Sequence, residues 1–429
     1  MFTRMMNVVD IDKMLETAEA PVIGECCIYR VPFPIRRHNQ DAYTPNVVSI
    51  GPFHHNSDSR LFNMERHKLN YCKAFLQRTQ TASDTWKRYI EEVEPQFRRF
   101  YSDTLNISTE ELVKIIFVDS GFILELFCRY HEGWSNDDVC LSTNWLRCYI
   151  RIDLLLLENQ LPFSLLQTLY SMSFTSTSTR SLIEPFTSTS TRSLIERTFH
   201  YFSNYNKSKV SINDNISIRH FTDLIRIFHL QHPKERRPLR SGNQLLTHLP
   251  STTQLLEAGV RFKVKTESDC LLNLTFSRGI LRIPQLIVED DTKILFHNMV
   301  ALEQCHYPHE SYITDYVDIM DFLINTKEDV DKLVQKKVLI NCLEDVDSVA
   351  NMFNGLCKDV TIIDRNCNYN QIFEKLNGFY GNRYNIWKAT LRREYCKTPW
   401  KIAISVAGII LLFLAVVQTV CAVLEVTQQ

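Results

Sequence analysis

Apolar positions recur at helical spacing over most of this chain. Leu61, Met64, Lys68, Tyr71, Cys72 and Phe75 follow one helical face, and Glu91 to Tyr101 continues as a charged helix. Ser108, with Glu111 three residues later, is a capping signal. It opens a helix through Val113, Ile116, Phe117, Phe122, Leu126 and Phe127, which Gly133 closes. The run IDLLLLENQLPFSLLQTLY, Ile152 to Tyr170, predicts another buried helix, interrupted near Pro162. After Pro250 the period shortens. VRFKVK (Val260 to Lys265), LLNLTF and ILRIPQLIV predict a small β-meander that turns at Arg278-Gly279. Helices resume from Thr292. The expected fold is mostly α, an α-rich α+β domain over residues 26–396 with one small β element.

The strongest hydrophobic signal comes after that domain. From Ile402 to Leu424 no residue is charged, and a helix of that length spans about 34 Å, enough to cross a bilayer. Pro399 and Trp400 precede the run, and residues 425–429 form a short tail. These features predict a single-pass, tail-anchored membrane protein. Arg383, Lys388, Arg392, Arg393, Lys397 and Lys401 lie before the span and Glu425 after it, which places the large domain in the cytosol. Within the span, Ser405, Gly408, Ala415, Thr419 and Ala422 fall on one stripe. Small residues there permit close helix approach, so weak lateral self-association is one reading and ordinary composition the other.

The remaining segments are less regular. Residues 1–25 resemble a short amphipathic helix, with Met5, Val8, Val9, Ile11 and Leu15 apolar, and lack the apolar core of a signal peptide. Pro32 to Pro52 reads as an extended strap. FTSTSTRSLIEP from Phe174 recurs as FTSTSTRSLIER from Phe186, so residues 174–197 are a tandem duplication, expected in a surface loop. A basic loop at 231–250 carries Lys234, Arg236, Arg237 and Arg240. It could meet acidic lipid headgroups, although a solvated loop is the plainer reading.

Composition narrows the chemistry. The chain has 429 residues and a formal net charge of -1, so no global field favours nucleic acid. Thirteen cysteines without pattern suit buried thiols in a reducing compartment. Eleven glycines leave little room for a nucleotide loop, and no G-x-S-x-G elbow or H-E-x-x-H helix occurs. His54 and His55 are adjacent, and Cys305, His306 and His309 form a second group, but neither set has the paired spacing of a zinc site. Asp119, Glu125, Asp153 and Glu158 lie in apolar surroundings. They could do acid–base work, or serve as buried partners for groups such as Arg129 and Arg151. No cofactor is implied. Asn106, Asn206, Asn215 and Asn273 are glycosylation acceptors by sequence alone and do not decide topology.

A set of ordered segments carries a family resemblance: IYRVPFPIRRHNQDAYTPNVVSIGPFHH from Ile28, MERHKLNYCKAFL from Met64, DLLLLENQLPF, AGVRFK, GILRIPQLIVEDDT, EQCHYPHESYITDYVDIMDFLINT and WKATLRREYCKTPW. Together with the closing apolar helix they resemble the plant family called domain of unknown function 247. The resemblance implies a C-terminal membrane span and no established enzymatic activity. Some grass members are associated with self-incompatibility as recognition factors, which implies an outward-facing domain and conflicts with the basic flank. The duplicated Ser/Thr tract departs from the family pattern. The sequence thus points to a non-enzymatic membrane protein acting through an unknown protein partner. An extracellular recognition factor and an enzyme using His54, His55, Asp119 or Asp153 are the alternatives.

Overall fold

A computed structural model describes residues 25–178, 187–212, 216–242, 248–266, 270–395 and 399–427. The expected N-terminal amphipathic helix, Asn215 and the centre of the duplicated tract lie outside the described residues.

The chain builds helices wherever a 3.6-residue apolar period is long. Helix α1 (Phe62–Thr79) buries Met64, Lys68, Tyr71, Cys72 and Phe75 on one face, the periodic set read from sequence, and Gln80 ends it in the left-handed region with φ 53°. Helix α2 (Ser83–Arg98) follows, then α3 (Thr109–Glu132), whose first turn is capped by Ser108 and which ends at Gly133. The most extensive helix–helix contact joins α1 to α3. Its centre is Gly121, where a Cβ would stand 2.4 Å from Cys72 Sγ and 2.9 Å from Cys72 Cα. Trp86 of α2 is buried between Phe75 and Phe117, and its indole N–H donates to Ser173 Oγ at 3.0 Å. That bond ties α2 to α5 (Phe163–Ser178).

Helix α4 (Asn144–Asp153) stops earlier than expected. Leu154 to Pro162 form turns that are almost wholly buried, and a helix restarts only at Phe163. The long helix read from IDLLLLENQLPF is therefore corrected. Gln160 Nε2 donates to the carbonyls of Leu154 and Leu156 at 2.6 and 2.8 Å, so those acceptors are taken by a side chain instead of a helical N–H.

The duplicated tract is also corrected. Phe174–Ser178 extends α5, and the second copy opens α6 (Thr187–Tyr201). Leu194 is buried in the core and Arg197 pairs with Glu132 at 3.0 Å, so this copy is not a loose surface loop. Helix α7 (Phe221–His229) is capped by His220, and α8 (Thr252–Glu257) begins with a Ser251/Gln254 capping box.

Five short strands follow, β1 (Arg261–Val264), β2 (Thr275–Ser277), β3 (Ile280–Ile283), β4 (Leu286–Val288) and, later, β5 (Leu339–Asn341). They do not form a meander. β2 and β3 make the expected hairpin at Arg278-Gly279, both with positive φ, as a two-residue hairpin turn requires. β1, however, lies parallel to β3, with Arg261 opposite Ile280. β4 leaves that sheet after Pro284 and pairs in parallel with β5. Parallel pairing needs a crossover, which alternation in the sequence does not signal.

Helices α9 (Thr292–His306) and α10 (Tyr312–Leu323) are buried on nearly every face and form the centre of the C-terminal half. Around them stand α11 (Lys327–Gln335), α12 (Val346–Leu356) and α13 (Cys367–Gly381). Helix α14 (Arg383–Tyr395) leads to α15 (Pro399–Thr427), which contains the one helix segment, among the described residues, long and apolar enough to cross a membrane.

The Gly121–Cys72 approach generates a signed test. Ala is favoured over Gly in a helix by about 1 kcal/mol, so a loosely packed Gly121→Ala would be stabilised. With Cys72 backbone in the way, the variant is expected to lose about 1–3 kcal/mol by overpacking, read from urea unfolding.

Candidate functional site

Asp119 and Asp153, two of the polar residues singled out by sequence, hold one extended segment, Asn46 to Gly51. From Val48 to Gly51 it is buried without belonging to a helix or sheet, so its polar groups need other partners. Asp153, at the end of α4, accepts from the N–H groups of Asn46, Val47 and Val48 at 2.9, 2.7 and 2.9 Å. Asn159 accepts from Ile50 N at 2.7 Å and donates to Val48 O at 3.0 Å. Asp119 on α3 accepts from Gly51 N at 2.8 Å, and Lys68 on α1 donates to Ser49 O at 2.9 Å. Lys68 Nζ also lies 2.6 Å from Asp119 and 2.7 Å from Glu65. Burial works against that ammonium, but the two carboxylates outweigh it and hold its pKa above the ordinary value. Gly51 has φ +72°, and a Cβ there would meet Gln160 O at 2.6 Å, so only glycine fits.

Glu158 fastens the preceding strap. It accepts from Val31 N at 2.9 Å, pairs with Arg36, and lies 3.1 Å from His54 Nε2. Burial opposes its charge, yet His54 and Arg36 keep its carboxyl below the usual range. His55 points elsewhere, 3.6 Å from Glu111 at the edge of a depression of about 380 Å³ that Lys68 and Asp119 also line.

Asp119 and Asp153 thus hold one segment while His54 lies against Glu158, and the three do not converge on a shared open site. Each is engaged by backbone or by an opposite charge. Glu125 pairs with Arg129 at 2.8 Å and with Arg78 at 2.9 Å. Arg151 pairs with no carboxylate among the described residues. Its guanidinium lies 5.2 Å over the Tyr201 ring and donates to Tyr130 Oη at 3.2 Å. The second histidine group is spread out, with His306 Nδ1 bonded to Tyr29 Oη at 2.9 Å. Among the described residues no group of three His, Cys, Asp or Glu side chains is placed to hold a metal ion. The basic loop is mostly neutralised from within. Lys234 and Arg237 face Glu310, and Arg240 bridges Asp315 and Asp364. In the apolar helix Gly408, Ala415, Thr419 and Ala422 are exposed, and the Thr419 hydroxyl donates back to Ala415 O at 2.8 Å. Ile402 and Leu424 lie within the same helix.

One feature escaped the sequence reading. A cleft of about 680 Å³ opens between α4, β4 and α9, with Leu271, Leu295, Phe296 and Met299 among its apolar lining and Arg151 and Lys207 among its polar lining. Its size suits a small ligand. Its residues come from five separate stretches of chain, so no local motif could have announced it.

Fold and site therefore define a helix-dominated domain whose buried acids Asp119, Asp153 and Glu158 are held by backbone donors and cations, followed by an apolar helix. The chain belongs to the DUF247 family, described as plant protein of unknown function, whose model matches residues 28–414. It is similar to the UPF0481 protein At3g47200 of Arabidopsis thaliana, 29% identical over 427 residues, covering 93% of this chain and 87% of that protein. It is also similar to the putative UPF0481 protein At3g02645 of the same plant, 23% identical, covering 91% of this chain and 89% of that protein. No solved structure matches the chain.

The Lys68–Asp119 pair separates structural from catalytic roles. Lys68→Ala leaves a buried carboxylate unpaired and should cost about 3–5 kcal/mol in urea unfolding. Lys68→Met combined with Asp119→Asn should recover most of that loss. An unchanged stability for the single variant would show that the pair does not hold the fold.

Two buried histidines generate a pH test. Burial pushes His220 and His297 down to about 3, far below their value in an unfolded chain. The unfolded state then binds protons that the folded state does not, so stability is full above pH 6.5 and falls as pH drops toward 3. Each histidine should contribute up to about 1.4 kcal/mol per pH unit within that window. His220→Asn keeps a capping side chain and should make the decline of the urea midpoint between pH 7 and 4.5 shallower. An identical decline in variant and wild type would contradict this.

Proposed function

We propose that this is a membrane-anchored, non-enzymatic protein whose helical domain faces the cytosol and acts through protein contacts. The observation that carries the reading is α15. Val406–Val423 has a mean hydropathy of 2.6, and none of it is buried against the domain. Apolar surface left in water costs roughly 25 cal/mol per Å², and lipid removes that cost along the whole helix.

The basic residues that precede this helix support a cytosolic domain. Among the described cysteines, Cys27, Cys72, Cys128 and Cys140 are buried free thiols, as suits a reducing compartment. A protein-contact role is supported by an exposed aromatic patch beyond α3. Trp134, Trp145 and Tyr149 are open to solvent there, and the Arg147 guanidinium lies 5.3 Å over the Trp134 ring. Trp, Tyr and Arg are the residues that most often dominate protein interfaces. The buried carboxylates Asp119, Asp153 and Glu158 are committed to backbone and cations, which leaves little acid–base capacity in the core.

Ending the chain before Pro399 should release the domain into the soluble fraction. Retention on membranes after a high-salt wash would overturn the single-anchor reading. For the full chain in sealed microsomes, added protease should digest the domain. Resistance until detergent is supplied would reverse the orientation and make the outward-facing recognition role the better reading.

A further inference from the structure

We propose that α14 lies on the anionic lipid surface of the same membrane, as an interfacial helix that seats the domain against the bilayer. The inference rests on the anchoring role just given to α15, and it adds a second, separate contact.

The two faces of α14 differ sharply. Its inner face is set by Asn385 and Ala389, one turn apart, which approach the turn between α8 and β1. A Cβ on Gly259 would stand 3.0 Å from Ala389 Cβ and 3.8 Å from Asn385 O. Gly259 also has φ +94°, so glycine is needed there twice over. Counting 100° per residue, the face opposite Asn385 and Ala389 carries Arg383, Tyr384 and Trp387. Tyr384 is 63% exposed and Trp387 60% exposed, with ring centroids 6.2 Å apart. Arg383 and the neighbouring Lys388 are exposed and form no ion pair with any described residue.

An aromatic pair flanked by unpaired cations is poorly matched to water and well matched to the headgroup region. Trp and Tyr place an apolar body and a polar edge at that depth, and Lys and Arg meet anionic lipid. The chain itself supplies the proximity. Six residues separate Tyr395 from Ile402, and the seven steps between the two cover at most about 25 Å even when fully extended. The C-terminal end of α14 is therefore held close to the bilayer once α15 is inserted. Trp400, 77% exposed, lies in the first turn of α15 ahead of Ile402. Because the inner face of α14 packs on the domain, an interfacial α14 would also fix which side of the domain faces the membrane.

The full chain, with fluorotryptophan replacing tryptophan, would be placed in nanodiscs of phosphatidylcholine and phosphatidylserine carrying a gadolinium-chelate headgroup lipid. Fluorine NMR signals are assigned with Trp387→Phe and Trp400→Phe. The expected result is broadening of both Trp387 and Trp400, while the fully buried Trp86 stays sharp. Broadening of Trp400 with a sharp Trp387 would overturn the interfacial helix and leave the anchor standing. Sharp signals for both would overturn the anchor as well. A Trp387 signal that is sharp but shifts with protein concentration would assign the face to a second copy of the chain, against this proposal. Replacing phosphatidylserine with phosphatidylcholine should weaken the Trp387 effect, and an unchanged effect would remove the role of anionic lipid.

Discussion

Buried backbone that is neither helix nor sheet must still find a partner for every N–H and C=O, and this requirement organises the N-terminal half of the protein. Two such stretches, Val48–Gly51 and Leu154–Leu161, lie side by side in the core. Side chains take over the work of a hydrogen-bond ladder. Asp153 and Asn159 serve the first stretch, while Gln160 reaches two carbonyls of the second and also accepts from Phe221 N at 2.9 Å. Glu158, Asn159 and Gln160 are consecutive, yet they bind the strap at Val31, the segment at Ile50 and the start of α7 respectively. Losing all three would orphan groups in three different parts of the fold.

The C-terminal half repeats the device with other residues. Glu303 on α9 pairs with Arg226 at 3.0 Å and accepts from the N–H groups of Ile313 and Thr314 at 3.1 and 2.7 Å, so one carboxylate fixes α7 and begins α10. Asp315 accepts from Asn366 N at 3.0 Å ahead of α13, and Asp329 caps both α11 and the turn into α8. Buried acids here act mainly as caps for elements distant in sequence. A cap of this kind costs desolvation and is repaid by charge-assisted bonds to several donors at once. This is why so many buried carboxylates among the described residues are engaged by backbone N–H groups and cations.

The parts of the fold that were legible in the sequence are those decided locally. The periodic face of α1, the Ser108 cap of α3 and the Arg278-Gly279 turn each depend on residues within a few positions of one another. Even Lys68, which falls on the apolar face of α1, signalled its burial by position, although nothing local named Asp119 as its partner. The parts that were missed depend on distant partners. LLLLENQLPF has helical composition, but Asn159 and Gln160 are claimed by Val48 and Phe221 from elsewhere in the chain. The alternating strands looked like a meander because alternation reports burial on one face and is silent on strand order. The second copy of the Ser/Thr tract looked like a loop by composition, whereas Leu194 and Arg197 give it a packed side.

The same reasoning bears on where function can reside. A side chain that holds two or three backbone groups cannot move without releasing them, so the polar core is held rigid. What remains free lies on the surface: the aromatic patch at Trp134 and Trp145, the cleft lined by Arg151, and the outer face of α14. Arg151 illustrates the contrast. Unlike Arg226 or Arg240 it has no carboxylate partner among the described residues and rests on tyrosine rings instead, a cation retained beside a cavity where its neighbours were neutralised.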